Sequence, residues 1–415
     1  MSLATATSEP VWHRREGFAA VTNQGGREIA QRRTSRIAFP LLIWGHFLND
    51  GSVNYAPAIL PAVMAVHHVP VSLVGSVVLV LQAPSVLQPL VGAWADRVGG
   101  HAFVWAGLAL SAFGAAAIGL APTYTVLLGL LLLTGIGNAI FHPQSLTSAS
   151  WTAGRNRGLR MSMFLIGGEL GRGLWPLLAS ALVVAAGLRG LGWILIPAAL
   201  TVPVLAMVLP DLPSAPPRTR PRETQAVVGK ATAILLVRGL SATAIFGLVT
   251  FIPLLWHDRG GSLLAGASLL TTLLVVGIPG NLAGGWLGHR VSPRLWIGLS
   301  SLFAALLLAL FLFSTGIWSW VTIGLVGTAL FSGIPVVMLL SQDAFPGNPS
   351  MASGLALGGG NAIGALATFA LGPVAAAIGL VPTIWLLVGL LGVAAPLAAL
   401  LPRAEVPGMA YPVRT

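Results

Sequence analysis

The sequence predicts an all-α polytopic membrane protein, with twelve transmembrane helices in two pseudo-symmetric six-helix bundles. Three observations carry this reading. The chain of 415 residues is 55% hydrophobic and only 8% charged, where a soluble domain carries about 25% charged residues. So few charges cannot clothe a water-facing surface of that size, and the mean hydropathy of +0.86 agrees. Apolar stretches of membrane-crossing length then follow one another along the chain. Finally, the second half repeats the first.

The elements follow in order. Residues 1–36 are polar and hold Arg14, Arg15, Arg27, Arg32, Arg33 and Arg36. No apolar core with a small-residue cleavage site comes before the first span, so this segment reads as a cytoplasmic arm, not a secretory signal. A membrane helix needs about 20 mostly apolar residues. Six such stretches form an N-terminal bundle over 37–209: 37–65, 71–95, 101–121, 124–146, 160–184 and 190–209. Residues 210–231, rich in proline and arginine, form a central cytoplasmic loop. Six more stretches form a C-terminal bundle over 232–402: 232–256, 262–287, 293–313, 318–341, 351–378 and 382–402. Residues 403–415 are a tail. The absence of cysteine excludes disulfides, thiolate metal sites and cysteine nucleophiles.

Orientation comes from the arginines. Of 22 lysines and arginines, 18 fall in the arm, tail and loops of one side. Only Arg189 and Arg259 fall on the other side, while Arg172 and Arg238 lie inside spans. Positive loops stay inside, so both termini are expected in the cytoplasm, with the chain integral to the plasma membrane (a bacterial inner membrane). The same rule accounts for the net charge of +11 without nucleic acid.

The repeat shows in three places. "GAWADRV" at 92–98 matches "GWLGHRV" at 285–291, an offset of 193. "ALVVAAGL" at 181–188 matches "PVAAAIGL" at 373–380, and Pro143 matches Pro335, both at an offset of 192. Glu169 then falls opposite Asn361. Parallel six-helix repeats are a transporter signature. Spans 3, 6, 9 and 12 hold no ionisable residue past their first two positions. The polar residues sit in the other eight, among them His46, Asn49, Asp50, Asn138, His142, Glu169, Arg172, Arg238 and Asn361. Ionisable groups are costly in lipid, so eight helices line a polar interior and four stand outside.

At this point a family resemblance enters. "GAWADRVG" at 92–99 resembles the loop signature of the major facilitator superfamily, matching at Gly92, Asp96, Arg97 and Gly99 and departing at Gly100 and His101. "HFLND" at 46–50, "LQPLVGAWADR" at 87–97, "FHPQ" at 141–144, "GRNRGLRMSMFLIGGELGRGLWPLLAS" at 154–180 and "SQDAFPG" at 341–347 resemble the fosmidomycin-resistance branch of antibiotic efflux proteins. Three positions depart from that branch: Gln144 stands for a glutamate, Glu169 for an asparagine and Arg172 for a small residue. The resemblance implies the major facilitator fold and a proton-loading role for Asp50. It also implies a gate at Gly92, Asp96, Arg97 and Gly99, for which a capped, solvated turn is the plain alternative. His289 replaces the aspartate in the second half.

Each site residue has a working and a plain alternative. Asp50, about thirteen residues into its span and so near mid-membrane, is a proton carrier or a structural acceptor for Asn49 or His46. His46 and His142 relay protons or bind substrate, or are satisfied interior groups. Arg238 binds an anion, pairs with Asp50 or Glu169, or snorkels to the interface. Glu169 and Arg172, at i and i+3, share a helix face and form a switchable pair lining the cavity or a static salt bridge. Proton coupling is assigned to Asp50, Glu169 and His46. Substrate contact is assigned to Asn49, Asn138, His142, Gln144, Arg172, Arg238 and Asn361. "LGGGNAIG" at 357–364 follows no strand and lacks a P-loop lysine, so its glycines read as close helix packing.

The expected function is alternating-access secondary transport, in the form of proton-coupled export of a small drug-like or anionic compound. Proton-coupled uptake of a small organic solute is the second reading. A non-transporting membrane sensor or assembly protein is the third, and idle buried charges speak against it. The chain is expected to be no enzyme, to need no cofactor or metal, and to meet substrate, protons and lipid as a monomer.

Overall fold

The computed structural model describes residues 37–98, 100–152, 157–209, 225–287, 291–344 and 355–402. The predicted arm, most of the central loop, the tail, Gly99 and His289 lie outside the described residues. Within them all regular structure is helical. Eleven helices are long and apolar enough to cross a membrane. In chain order they are α2 (Val71–Gly92), α3 (Ala102–Leu120), α4 (Tyr124–Thr152), α5 (Leu159–Ala186), α6 (Leu188–Val208), α7 (Gly229–Asp258), α8 (Leu263–Trp286), α9 (Pro293–Phe313), α10 (Ile317–Ala344), α11 (Gly360–Ile378) and α12 (Leu380–Leu400).

The first predicted span is a broken helix, here α1, covering 37–67. Residues 37–54 are helical, Tyr55 is a bend, and the chain continues as a 3-10 turn, Ala56–Ile59, and an α-helix, Leu60–His67. Pro57 and Pro61 account for the break, because each lacks an N–H and crowds the preceding turn. α11 is preceded by one π turn, Leu355–Gly359, and its expected start at 351 lies outside the described residues. Prolines inside α4, α5, α7, α10 and α11 are tolerated as membrane helices tolerate them, because neighbouring groups re-satisfy the freed backbone.

The repeat read from sequence is a repeat in space. A Cβ placed on Gly92 of α2 would stand 3.2 Å from Cβ of Pro143 on α4. One on Gly285 of α8 would stand 4.0 Å from Cβ of Pro335 on α10. The same helix pair thus meets at the same glycine–proline contact in both halves. α5 and α11 also end alike, at Gly187 with φ 65° and Gly379 with φ 90°, backbone that favours glycine because it has no Cβ.

The helices without ionisable residues pack apart from the centre. α3, α6, α9 and α12 make their principal contacts within their own half. The halves meet where α2 lies on α11, where α5 lies on α8, and where the outer part of α1 lies on α7 and α8. Glycines make this possible. A Cβ on Gly75 would come within 2.6 Å of the Phe369 Cα, and one on Gly372 within 2.4 Å of the Ser72 carbonyl oxygen, the close backbone approach that small residues permit in membranes. These contacts concentrate at the end of the bundle away from the termini. At the other end, the helical stretch Gln88–Val98 packs on α4.

Candidate functional site

The site is built on the glycine-rich turns of α5, "GGELGRG" at 167–173. A Cβ on Gly171 would lie 2.1 Å from the Phe47 carbonyl oxygen, and one on Gly167 would lie 2.7 Å from Cγ2 of Ile43. One on Gly168 would lie 2.5 Å from the His46 ring and 2.9 Å from Oδ2 of Asp50. Three glycines on one face therefore let α1 lie directly on α5. His46 and Asp50, four apart and on one face of α1, are brought against Glu169 and Arg172. Gly173 serves the other contact, since its Cβ would stand 2.6 Å from Cγ2 of Val275 on α8.

Five ionisable side chains from three helices converge. Nη1 of Arg172 is 3.3 Å from Oε2 of Glu169, and its Nη2 is 3.9 Å from Oδ2 of Asp50. Nε2 of His46 is 3.5 Å from Oδ2 of Asp50, and Nε2 of His142 on α4 is 3.4 Å from Oδ1. Asp50 is 4% exposed, while the side chains of Arg172, His142 and Glu169 are 32%, 32% and 22% exposed. The cluster thus has a closed end at Asp50 and a solvent-reaching end at Arg172 and His142. With both imidazoles neutral, two carboxylates face one guanidinium, so the group lacks one positive charge.

The shell around Asp50 is fixed. Asn49, fully buried, donates from Nδ2 to Oδ1 of Asn138 at 2.8 Å and to Oδ1 of Asp50 at 3.2 Å. Its own Oδ1 accepts from the Ser111 hydroxyl at 2.8 Å. These hydrogen bonds tie Asn49, beside the carboxylate, to Asn138 and Ser111. His46 stacks on Phe164 with ring centroids 4.2 Å apart, and its Nδ1 lies 2.8 Å from the Phe164 carbonyl oxygen. A carbonyl only accepts, so Nδ1 carries the hydrogen. In a neutral His46, Nε2 therefore turns a bare lone pair toward Asp50. One proton shared between Nε2 and Oδ2 relieves that opposition.

The remaining predicted residues fall in three places. Arg238 on α7 donates from Nη2 to Oδ1 of Asn361 on α11 at 2.9 Å, so its partner is neither Asp50 nor Glu169. The Arg172 charge reaches it across the two halves. Gln144 is buried on α4. Gly92 touches Pro143 and Arg97 is exposed, while Gly99 and the Asp96 side chain lie outside what is described.

The ligand atoms of His46, Asp50 and His142 lie within 4.8 Å of one another and are of types that bind transition metals. The Arg172 guanidinium beside Asp50 opposes a second cation there, and the arrangement suits a proton better. Sequence reasoning missed this convergence, along with Ser111, because the residues lie far apart on three helices and no spacing signals their contact. Only contacts within one helix, Glu169 with Arg172 and His46 with Asp50, were visible.

The Major Facilitator Superfamily profile matches residues 42–368. Over 399 residues the chain is 28% identical to an uncharacterized MFS-type transporter, YfnC, of Bacillus subtilis, covering 91% of this chain and 97% of that one. Over 359 residues it is 27% identical to the fosmidomycin resistance protein of Escherichia coli, covering 83% and 87%. Among solved structures, a bacterial homolog of the human lysosomal transporter Spinster, in an inward-facing and occupied conformation, shares the fold with a TM-score of 0.70. It is 17% identical, and the match covers 87% of this chain and 95% of that chain.

Proposed function

Because this chain belongs to the major facilitator superfamily and is a secondary transporter, we propose that its central cluster couples export of a small amphipathic or anionic compound to proton entry. The observation that carries this reading is Arg172 held between Glu169 and Asp50, with the His46 and His142 imidazoles also against Asp50. Charges at this depth are costly unless used or paired. Arg172 is the cation an anionic substrate reaches. A compound held on Arg172 that also donates hydrogen bonds to the ionised Asp50 and Glu169 competes with protons for those carboxylates. A proton entering from outside takes a carboxylate and displaces the compound, and a compound arriving from the cytoplasm displaces the proton in turn. His142 and Asn361 are further substrate contacts, and Asn49, Asn138 and Gln144 hold the interior behind them. Likeness to a fosmidomycin resistance protein supports export.

Among the described residues the contacts between the halves concentrate away from the termini, which supports a state open toward the termini. Alternating access would close that end, with Gly92, Asp96, Arg97 and Gly99 as its gate. The test is transport in proteoliposomes under an imposed pH gradient across a panel of small anions and drugs. Export reads as compound moving against the proton flux. Movement with the protons means uptake, and no movement of any compound removes the coupling reading.

The chain is proposed to lie in the inner membrane with both termini cytoplasmic. Single cysteines introduced into this cysteine-free chain test this. A cysteine at position 220 is expected to resist impermeant maleimide in intact cells and to react in inverted vesicles. The reverse pattern overturns the orientation.

A further inference from the structure

The second half contains a cation that no acidic group among the described residues balances. Arg238 is 6% exposed, and its Nε and Nη1 are buried without a hydrogen-bond partner. Asn361 takes only Nη2. The second half has no acidic residue inside a span: Asp258 and Asp343 stand at helix ends. The charge that reaches Arg238 from the first half is that of Arg172, of like sign.

The internal repeat shows what is missing. At the offset of 192, Arg238 stands where the first half has His46. Ala242 stands at the position of Asp50, and Ile334 at that of His142. The second half has kept and strengthened the cation and lost its carboxylate. Beside Arg238, toward α9 and α10, is a small, partly open cavity lined by Arg238, Ser241, Ser300, Ser301 and Ile334, among others, with about 10 Å³ of room. A space of roughly 10–15 Å³ holds one water-sized occupant. The Ser241 and Ser300 hydroxyls donate back to the Val237 and Ile297 carbonyls, and a hydroxyl can turn to a new acceptor.

We propose that this cavity binds a monatomic anion, a halide such as chloride, which stands in for the carboxylate lost from the second half. Nε and Nη1 of Arg238 donate to it, and the serine hydroxyls can turn to it. With about 10 Å³ of room the space suits a single small ion better than an organic compound, so the bound ion is separate from the transported one. Its role is to neutralise Arg238, whose Nη2 stays on Asn361.

The experiment uses the purified full-length protein in detergent. Its thermal midpoint is followed as sodium chloride or bromide replaces sodium gluconate at constant ionic strength. Either halide is expected to raise the midpoint saturably, by about 2–4 °C, and gluconate is not. In Arg238→Met, which keeps the length and loses the charge, the rise is expected to vanish. Line broadening of 35Cl in nuclear magnetic resonance, reversed by bromide, reads binding on the parent protein without any variant. Equal midpoints in chloride and gluconate together with unbroadened 35Cl overturn the proposal. So does a halide effect that persists in a folded Arg238→Met.

Discussion

Asp50→Asn is expected to abolish proton-driven net transport while the protein still inserts and folds. Asparagine has the same shape, and its amide oxygen can still accept from Asn49, as Oδ1 of Asp50 does at 3.2 Å. The packing of α1 on α5 at Gly168 is undisturbed, since no atom is added where space is shortest. What disappears is a group that takes and loses a proton. His46 cannot substitute for it, because its Nδ1 is committed to the Phe164 carbonyl and its Nε2 has lost the carboxylate that shared its proton. Removing the charge also leaves Arg172 with Glu169 alone, so anion binding is expected to persist or tighten. The measurement is substrate efflux from proteoliposomes with and without a pH gradient, beside equilibrium exchange of labelled substrate. Exchange retained with gradient-driven flux lost is the expected pair. Gradient-driven flux equal to the parent removes Asp50 from coupling.

The second large effect concerns the Glu169–Arg172 pair. Arg172→Ala is expected to lose substrate binding, with transport falling to background. Glu169→Gln is expected to stay folded, bind substrate and lose the pH dependence of binding. A static buried salt bridge behaves otherwise. Breaking one by removing a single partner costs about 3–5 kcal/mol, whereas replacing both partners by apolar groups can be nearly neutral. The side chains here are 32% and 22% exposed, so the structural penalty falls at or below the low end of that range. The deciding variant is Glu169→Leu with Arg172→Leu. On the proposed mechanism it folds, by circular dichroism and size exclusion, and transports nothing. Transport equal to the parent in this double variant makes the pair structural only. Arg172→Lys adds a finer reading. Lysine keeps the charge but loses the planar fork that bridges two carboxylates, so binding is expected to weaken and not vanish.

Much of the architecture was legible because membrane burial writes itself into composition. Every helix in lipid must be apolar over its whole length, so eleven spans could be placed to within a few residues. The repeat was also visible, because Gly92 with Pro143 and Gly285 with Pro335 are the same contact made twice. The segregation of ionisable residues away from α3, α6, α9 and α12 followed from the cost of charge in hydrocarbon. That cost acts on each helix singly and needs no knowledge of its neighbours. The Glu169–Arg172 pair was legible for the same local reason, since one helical turn decides whether i and i+3 meet.

The break in α1 was less plain, although Pro57 and Pro61 were its signal. Contacts between helices could not be read at all. Sequence showed His46, Asp50, His142 and Arg172 as separate candidates, and only the packing of α1, α4 and α5 joins them around one carboxylate. It likewise joined Asn49 to Asn138 and Ser111 beside Asp50, and gave Arg238 to Asn361. The physical reason is that hydrophobicity sets how far each helix is buried but not its rotation or depth against its neighbours. Those are set by where backbones can touch, at Gly167, Gly168 and Gly171 against Ile43, His46 and Phe47. A glycine in the sequence says that something can come close, and only the tertiary structure says what does.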